Sequence, residues 1–241
     1  MKPGEEPSNP KIETAIVIVG GEGLRLRPLT TDKPKVMISI AGKPILDWIL
    51  QWLVGNGISH IVVGVAYKKD VVIEHVKQLR LPFRLDFSEH TVEGGTGEGF
   101  RLAIERFVPD ETFLAMNGDE ITDINVSDFA KFHHRVGGLA TIAVANLRSP
   151  FGVVKVENDR IVGYEEKPVL DALVSTGIYV FEHGIVDFLP ATGNIETETF
   201  PQLARLGKVA AYRHGGFWGT LNTFKDLQQL ESELNRGILS S

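Results

Sequence analysis

The stretch VGGEGLRLRPLT, Val19 to Thr30, follows the apolar run Ala15-Ile16-Val17-Ile18-Val19 and decides how the rest of the chain is read. Gly20, Gly21 and Gly23 sit just beyond a run whose length and β-branched content predict a strand. In an open α/β sheet, ligands bind beyond the C-terminal ends of the strands, so a ligand would be met at this turn. A dinucleotide fingerprint would place another glycine at position 26 and start a helix at about residue 22. Position 26 is Leu26, and Pro28 breaks such a helix, which removes an NAD-dependent oxidoreductase from consideration. A P-loop would carry Gly-Lys-Ser/Thr, which is absent. What remains is a loop whose glycine N–H groups can approach a ligand closely, with the Arg25 guanidinium behind them, a combination suited to a polyphosphate. A tight surface turn with solvated arginines uses the same residues, and the glycines alone favour it.

The chain has 241 residues, 43% apolar and 23% charged, the composition of an ordinary globular protein large enough for a substantial core. No run approaches the ~20 apolar residues needed to cross a bilayer, so no membrane association is expected. Residues 1–12 read as a disordered polar leader, since Met1–Lys11 holds three prolines and no apolar segment of a signal peptide. Residues 13–241 read as one domain. The absence of cysteine excludes disulfides and thiolate metal sites and fits a reducing, cytoplasmic setting. A net charge of −6 argues against a nucleic-acid partner. Against that acidic balance, Arg25, Arg27, Lys33 and Lys35 crowd into eleven residues.

Hydrophobic patterning predicts strands over 14–20, 60–66, 83–87, 112–116, 139–145, 152–157, 160–164, 174–181 and 209–213. Helices are predicted to begin at Ile45, Asp70, Gly99, Val126, Gly184, Glu196 and Thr223. Alternation of strand and helix in the first half predicts a mostly parallel sheet with helices on both faces. Closer spacing of strands from Leu139 onward predicts a small antiparallel portion.

The longer segment GGEGLRLRPLTTDKPKVMISIAGKPIL resembles the first motif of the sugar nucleotidyltransferases, the nucleoside-diphosphate-sugar pyrophosphorylases. Gly20, Gly21, Gly23, Arg25, Leu26, Pro28, Leu29, Thr30, Pro34, Lys35, Gly42, Lys43 and Pro44 all match it. Leu24 departs from it, standing where the family commonly has Thr or Ser. The resemblance implies a single Rossmann-like nucleotide-binding domain of α/β class, with a small antiparallel sugar-binding portion. It assigns Gly20, Gly21 and Gly23 to nucleotide binding, and Arg25 and Lys35 to the triphosphate as catalytic groups.

Further motifs agree. Asn117-Gly118-Asp119 lies at the end of an apolar strand; by itself it is good turn chemistry, and the resemblance makes Gly118 nucleotide-binding and Asp119 a catalytic Mg²⁺ ligand. Gly95, Thr96 and Gly97 match the base-recognition loop, with Glu98 where many members have Gly. Gly152, Glu166 and Lys167 match the sugar-phosphate contacts, although Glu165-Glu166-Lys167 also reads as a solvated charge run. Ser175 and Thr176, before Gly177, match a short polar turn on the sugar side. His133 and His134, on a polar helix and not at chelating spacing, receive no role. The tail YRHGGFWGTLNT resembles the glucose-1-phosphate cytidylyltransferases, while the chain as a whole also resembles mannose- and heptose-1-phosphate guanylyltransferases. The family's second metal-binding Asp falls on Asn222, a neutral oxygen ligand that lowers the charge of the site by one. Either Asn222 then serves as the metal ligand itself, or a carboxylate such as Asp226 or Asp123 substitutes.

The implied reaction joins a nucleoside triphosphate, CTP or GTP, to a sugar 1-phosphate and releases pyrophosphate, with Mg²⁺ as cofactor, feeding nucleotide-sugar synthesis. Both substrates are anions, so charge neutralisation and in-line alignment are the main tasks. A homo-oligomer is compatible with this reading, and a non-catalytic nucleotide-sugar-binding homologue is the alternative that Leu24, Glu98 and Asn222 keep open.

Overall fold

In the computed structural model, which describes residues 10–79 and 82–239, seven strands form one central sheet. They are β1 (Thr14–Ile18), β2 (His60–Val65), β3 (Arg84–Glu89), β4 (Thr112–Asn117), β5 (Ala140–Arg148), β6 (Val169–Glu182) and β7 (Val209–Arg213). Their spatial order is β7-β5-β6-β4-β1-β2-β3. β1 pairs in parallel with β2 and β4, and β3 extends that parallel set. β6 runs antiparallel to both neighbours, β4 and β5. The chain order reverses beside β1, so the loops after β1 and β4 meet at a topological switch point, the usual ligand position in such sheets.

Strand β1 is buried at every residue, as expected for a parallel strand covered on both sides. Its side chains divide with period two. Ala15 and Val17 join a core with the helices α1 (Ile45–Gly55), α2 (Lys69–Gln78) and α4 (Val126–Val136), and with the later helix Phe224–Asn235. Ile16 and Ile18 join a second core, on the other face, with α3 (Gly95–Phe107) and the short helix α5 (Thr199–Arg205). The helix Phe224–Asn235 is α6. The fold is therefore the mostly parallel, helix-flanked α/β sheet that the patterning predicts.

The antiparallel portion is also present. A hairpin of Val153–Glu157 and Arg160–Glu165 stands off the main sheet, turned by Asn158 and Asp159, both at positive φ, a two-residue turn of the primed kind. Several expected boundaries move. α3 starts at Gly95 and not Gly99, α5 starts at Thr199 and not Glu196, and the segment from Gly184 is a 3₁₀ helix, His183–Phe188. Two short antiparallel pairs were not expected: Ser39–Ile40 with Lys43–Pro44, and Glu120–Thr122 with Trp218–Thr220. The expected polar helix at Val126 buries Phe129, Ala130 and His133. His133, expected on a polar helix, is 1% exposed and bonds Thr141 Oγ1 (2.7 Å) and Glu182 Oε1 (2.8 Å). Of the expected leader, residues 1–9 lie outside the described residues, and Ile12 is buried in the first core. No described helix is long and apolar enough to cross a membrane.

Candidate active site

The glycine turn begins where β1 ends. The amide of Val19 still bonds Gly64 O (2.8 Å), and a side chain at Gly20 would collide with the His90 imidazole. Gly23, at φ +62°, opens the short 3₁₀ helix Leu24–Leu26, whose Leu26 is fully buried and anchors the loop. Thr30 Oγ1 donates to Gly23 O (3.0 Å), and the stem of Lys35 packs behind the same glycine. A second 3₁₀ turn, Lys35–Met37, buries Val36 and Met37 and leaves the Lys35 side chain pointing back into the cleft. Pro28 and Pro34 thus carry the chain outward and return it. The resulting cleft of about 320 Å³ is lined by Glu22, Gly23, Leu24, Arg25, Lys35 and Asn222, with Val92 at its edge. The loop that the sequence reads as a triphosphate clamp therefore faces Asn222 from the far end of the chain.

Asp119 enters from β4. Gly118 makes this approach feasible: its amide bonds Ile18 O (2.8 Å), and a Cβ there would strike Val19 and the Ile18 carbonyl. Lys35 Nζ donates to Asp119 Oδ2 (2.5 Å) and lies 3.4 Å from Asn222 Oδ1. Asn222 is oriented by its own amide, which donates to Thr220 Oγ1 (3.0 Å) and turns Oδ1 toward Lys35. The amide of Leu221 bonds Asp119 O (3.0 Å) and fixes the two segments together. Two oxygens thus converge on one ammonium group, a donor pair suited to a hard cation. Neither substitute carboxylate joins them. Asp226 Oδ2 accepts the amides of Asn222 (3.0 Å) and Thr223 (2.8 Å) as part of the capping box that starts α6. Asp123 Oδ1 accepts the Phe217 amide (2.8 Å) and lies 2.8 Å from His214 Nε2. Among the described residues, no group of three or more His, Asp or Glu side chains gathers as a metal cluster.

Glu120 belongs to none of the motifs in the sequence. It is 7% exposed, accepts from Trp218 Nε1 (2.8 Å), and packs against Gly177. Burial, and then the neighbouring Asp119 charge, push its carboxyl well above the usual range. His90 is likewise unassigned by the motifs, yet it fills the space left by Gly20, Gly64 and Gly99; burial lowers its pKa.

On the sugar side, Gly152 lies against the Tyr164 ring, and Tyr164 Oη donates to Glu166 Oε2 (3.0 Å). That hydrogen bond, then one from Lys167 (3.3 Å), hold the Glu166 carboxyl below its usual range. Lys167 adopts φ +50°, which ends the hairpin strand and starts the run into β6. Gly152, Glu166 and Lys167 are therefore gathered at one end of the hairpin. Thr176 is fully buried with its hydroxyl on Ala143 O (2.9 Å), so only its carbonyl, which accepts from Trp218 (3.1 Å), faces the Glu120 group. Ser175 is exposed and its hydroxyl accepts the Gly177 amide (3.3 Å).

Gly95, Thr96 and Gly97 form the first turn of α3 and pack on the segment 190–196. Gly97 N bonds Gly193 O (2.9 Å), and Thr96 Oγ1 donates to Glu196 (2.9 Å). They do not line the cleft around Lys35. Glu98 accepts both the amide and the hydroxyl of Thr91 (2.7 Å each), and so fixes the loop that carries Val92 to the cleft.

The profile of the nucleotidyl transferase family matches residues 14–236, and the chain belongs to that family. It is 29% identical to a probable glucose-1-phosphate cytidylyltransferase of Bacillus subtilis, over 92% of this chain and 96% of that protein. It is 33% identical to mannose-1-phosphate guanyltransferase beta-B of Xenopus laevis, over 88% of this chain but only 62% of that longer protein. A mannose-1-phosphate guanylyltransferase of Mycobacterium tuberculosis is 32% identical over 94% and 66% of the two chains. Among solved structures, HddC from Yersinia pseudotuberculosis superposes with a TM-score of 0.76 at 20% identity, covering 92% of this chain and all of that one. A second structure of the same protein, complexed with GMP-PN, gives 0.75.

Proposed function

We propose that this member of the nucleotidyl transferase family joins a nucleoside triphosphate to a sugar 1-phosphate, forming a nucleotide sugar and releasing pyrophosphate. The observation that carries the reading is the convergence of Lys35, Asp119 and Asn222 beside the glycine turn, from three separate parts of the chain. CTP is the proposed nucleotide. The tail YRHGGFWGTLNT, which resembles that of the glucose-1-phosphate cytidylyltransferases, supports CTP, and GTP is the alternative that the guanylyltransferase relatives keep open. A cytoplasmic setting is part of this reading, supported by a chain without cysteine.

In this reading the amides of Gly21 and Gly23 and the Arg25 guanidinium hold the triphosphate. Lys35 leaves Asp119 for the phosphates and stabilises charge developing on the departing pyrophosphate. Gly152 and Glu166 bind sugar hydroxyls, and Lys167 orients the sugar phosphate for in-line attack on the α-phosphorus. That phosphate oxygen is already ionised near neutral pH, so no side chain needs to act as general base. Asp119 and Asn222 would hold Mg²⁺, which when bound neutralises phosphate charge.

Pyrophosphate release measured with CTP, GTP and several sugar 1-phosphates tests the activity. Asp119→Ala is expected to reduce turnover at least ~100-fold, an electrostatic loss of about 3 kcal/mol, while retaining the unfolding midpoint. Undiminished turnover in that variant would sink the assignment of Asp119. Asn222 also supports a second reading, a non-catalytic nucleotide-sugar-binding homologue. Nucleotide-sugar binding by calorimetry without turnover on any substrate pair would select it.

A further inference from the structure

A second cavity, of about 340 Å³, shares no lining residue with the cleft around Lys35. It lies between α1, the segment Asp123–Asn125 and the C-terminal residues Ile238 and Leu239. Its apolar wall is made by Trp48 and Trp52, one helical turn apart. Both rings are locked, because their indole N–H groups donate to backbone carbonyls: Trp48 to Ile40 O (3.0 Å) and Trp52 to Ile124 O (3.1 Å). Rigid aromatic surface is therefore presented to the cavity at little cost in side-chain freedom.

The polar groups around it are only half used. Gln51 Oε1 accepts from Lys43, Asn125 Oδ1 caps α4, and Asp123 Oδ1 takes the Phe217 amide. Among the described residues no hydrogen bond engages Gln51 Nε2, Asn125 Nδ2 or Asp123 Oδ2, two donors and one acceptor carried by residues that line the cavity. Among the described residues no basic side chain lines it. The nearby Lys43 sits over the Trp48 ring, 3.5 Å from its centroid, and bonds Gln51. With a carboxylate and no free cation, the cavity disfavours phosphate. A locked aromatic wall with both donors and acceptors at the rim suits a ring whose hydroxyls can serve as either.

We propose that this cavity is a binding site for an unphosphorylated saccharide, separate from the substrate cleft. This goes beyond the proposed reaction and does not depend on it. Asp123 continues directly from Glu120–Thr122, so an occupant adjoins the strand that follows Asp119.

Two of the three tryptophans in the chain line this cavity, so intrinsic fluorescence reports on it. The full chain is titrated with methyl α-D-glucopyranoside and with maltose, and in parallel with glucose 6-phosphate and with cytidine. Gly55 also lines the cavity, and a Cβ there meets nothing within 4 Å, so Gly55→Leu adds bulk at the cavity wall. A neutral saccharide is expected to give a saturable change in the native chain. In Gly55→Leu its apparent affinity is expected to fall by about tenfold or more, with the unfolding midpoint and the basal pyrophosphate release unchanged. Absence of a saturable change, an equal response in Gly55→Leu, or tighter binding of glucose 6-phosphate or cytidine overturns the proposal.

Discussion

At the residue scale, Asn222 tests how the cleft handles charge. Its Oδ1 lies 3.4 Å from the Lys35 ammonium that Asp119 also holds, while Asp226 and Asp123 are engaged by backbone amides. Asn222→Asp is therefore expected to lower the Mg²⁺ concentration giving half-maximal pyrophosphate release, through one added negative charge at a hard-cation site. An unchanged Mg²⁺ titration would place the metal elsewhere. Arg25, Lys35 and Asp119 could be singled out in the sequence because each sits in a short run with characteristic spacing. Glu120 could not, since its significance arises from burial beneath Trp218, which is 98 residues away in the chain. Thr176 shows the converse. Its motif places it on the sugar side, but its hydroxyl bonds Ala143 O where the register of β6 against β5 shifts between Ser175 and Tyr179.

At the element scale, glycines divide into those that packing requires and those it does not. A Cβ at Gly97 would come within 2.5 Å of the Pro190 ring and 2.9 Å of Gly193 O, so Gly97→Ala should cost about 1–3 kcal/mol in urea denaturation. At Gly21 a Cβ meets nothing, and Gly21→Ala should change stability by no more than about 0.5 kcal/mol. Any loss of nucleotide affinity in that variant then reports on the cleft and not on folding. The strands were readable because β1, β2 and β4 are uninterrupted apolar runs. The start of α3 was not, because Gly95, Thr96 and Gly97 read as loop. Those residues become helical only through their bonds to Gly193, Asn194 and Glu196, a contact that no local pattern reveals.

At the scale of the whole molecule, two cores on opposite faces of one sheet account for the fold, and the period-two division of β1 between them was implicit in its unbroken hydrophobicity. His133 links this packing to pH. Burial lowers its pKa from the ordinary 6.5, so the folded chain keeps it neutral while the unfolded chain takes up a proton. The stability it contributes is present above about pH 6.5 and is lost as the pH falls below that value toward the folded pKa. His133→Gln should therefore show a flatter decline of the thermal midpoint on acidification than the native protein; parallel curves would assign that decline to other groups. The Lys35–Asp119 pair has a consequence on the same scale. The carboxylate is held by the protein's own cation, so a divalent ion must compete with an ammonium tethered in place. A triphosphate that draws Lys35 to itself removes that competitor. On the proposed assignment, nucleotide and metal should thus each tighten the binding of the other, by the same factor. The closed charge pair is a lock that either substrate component loosens for its companion.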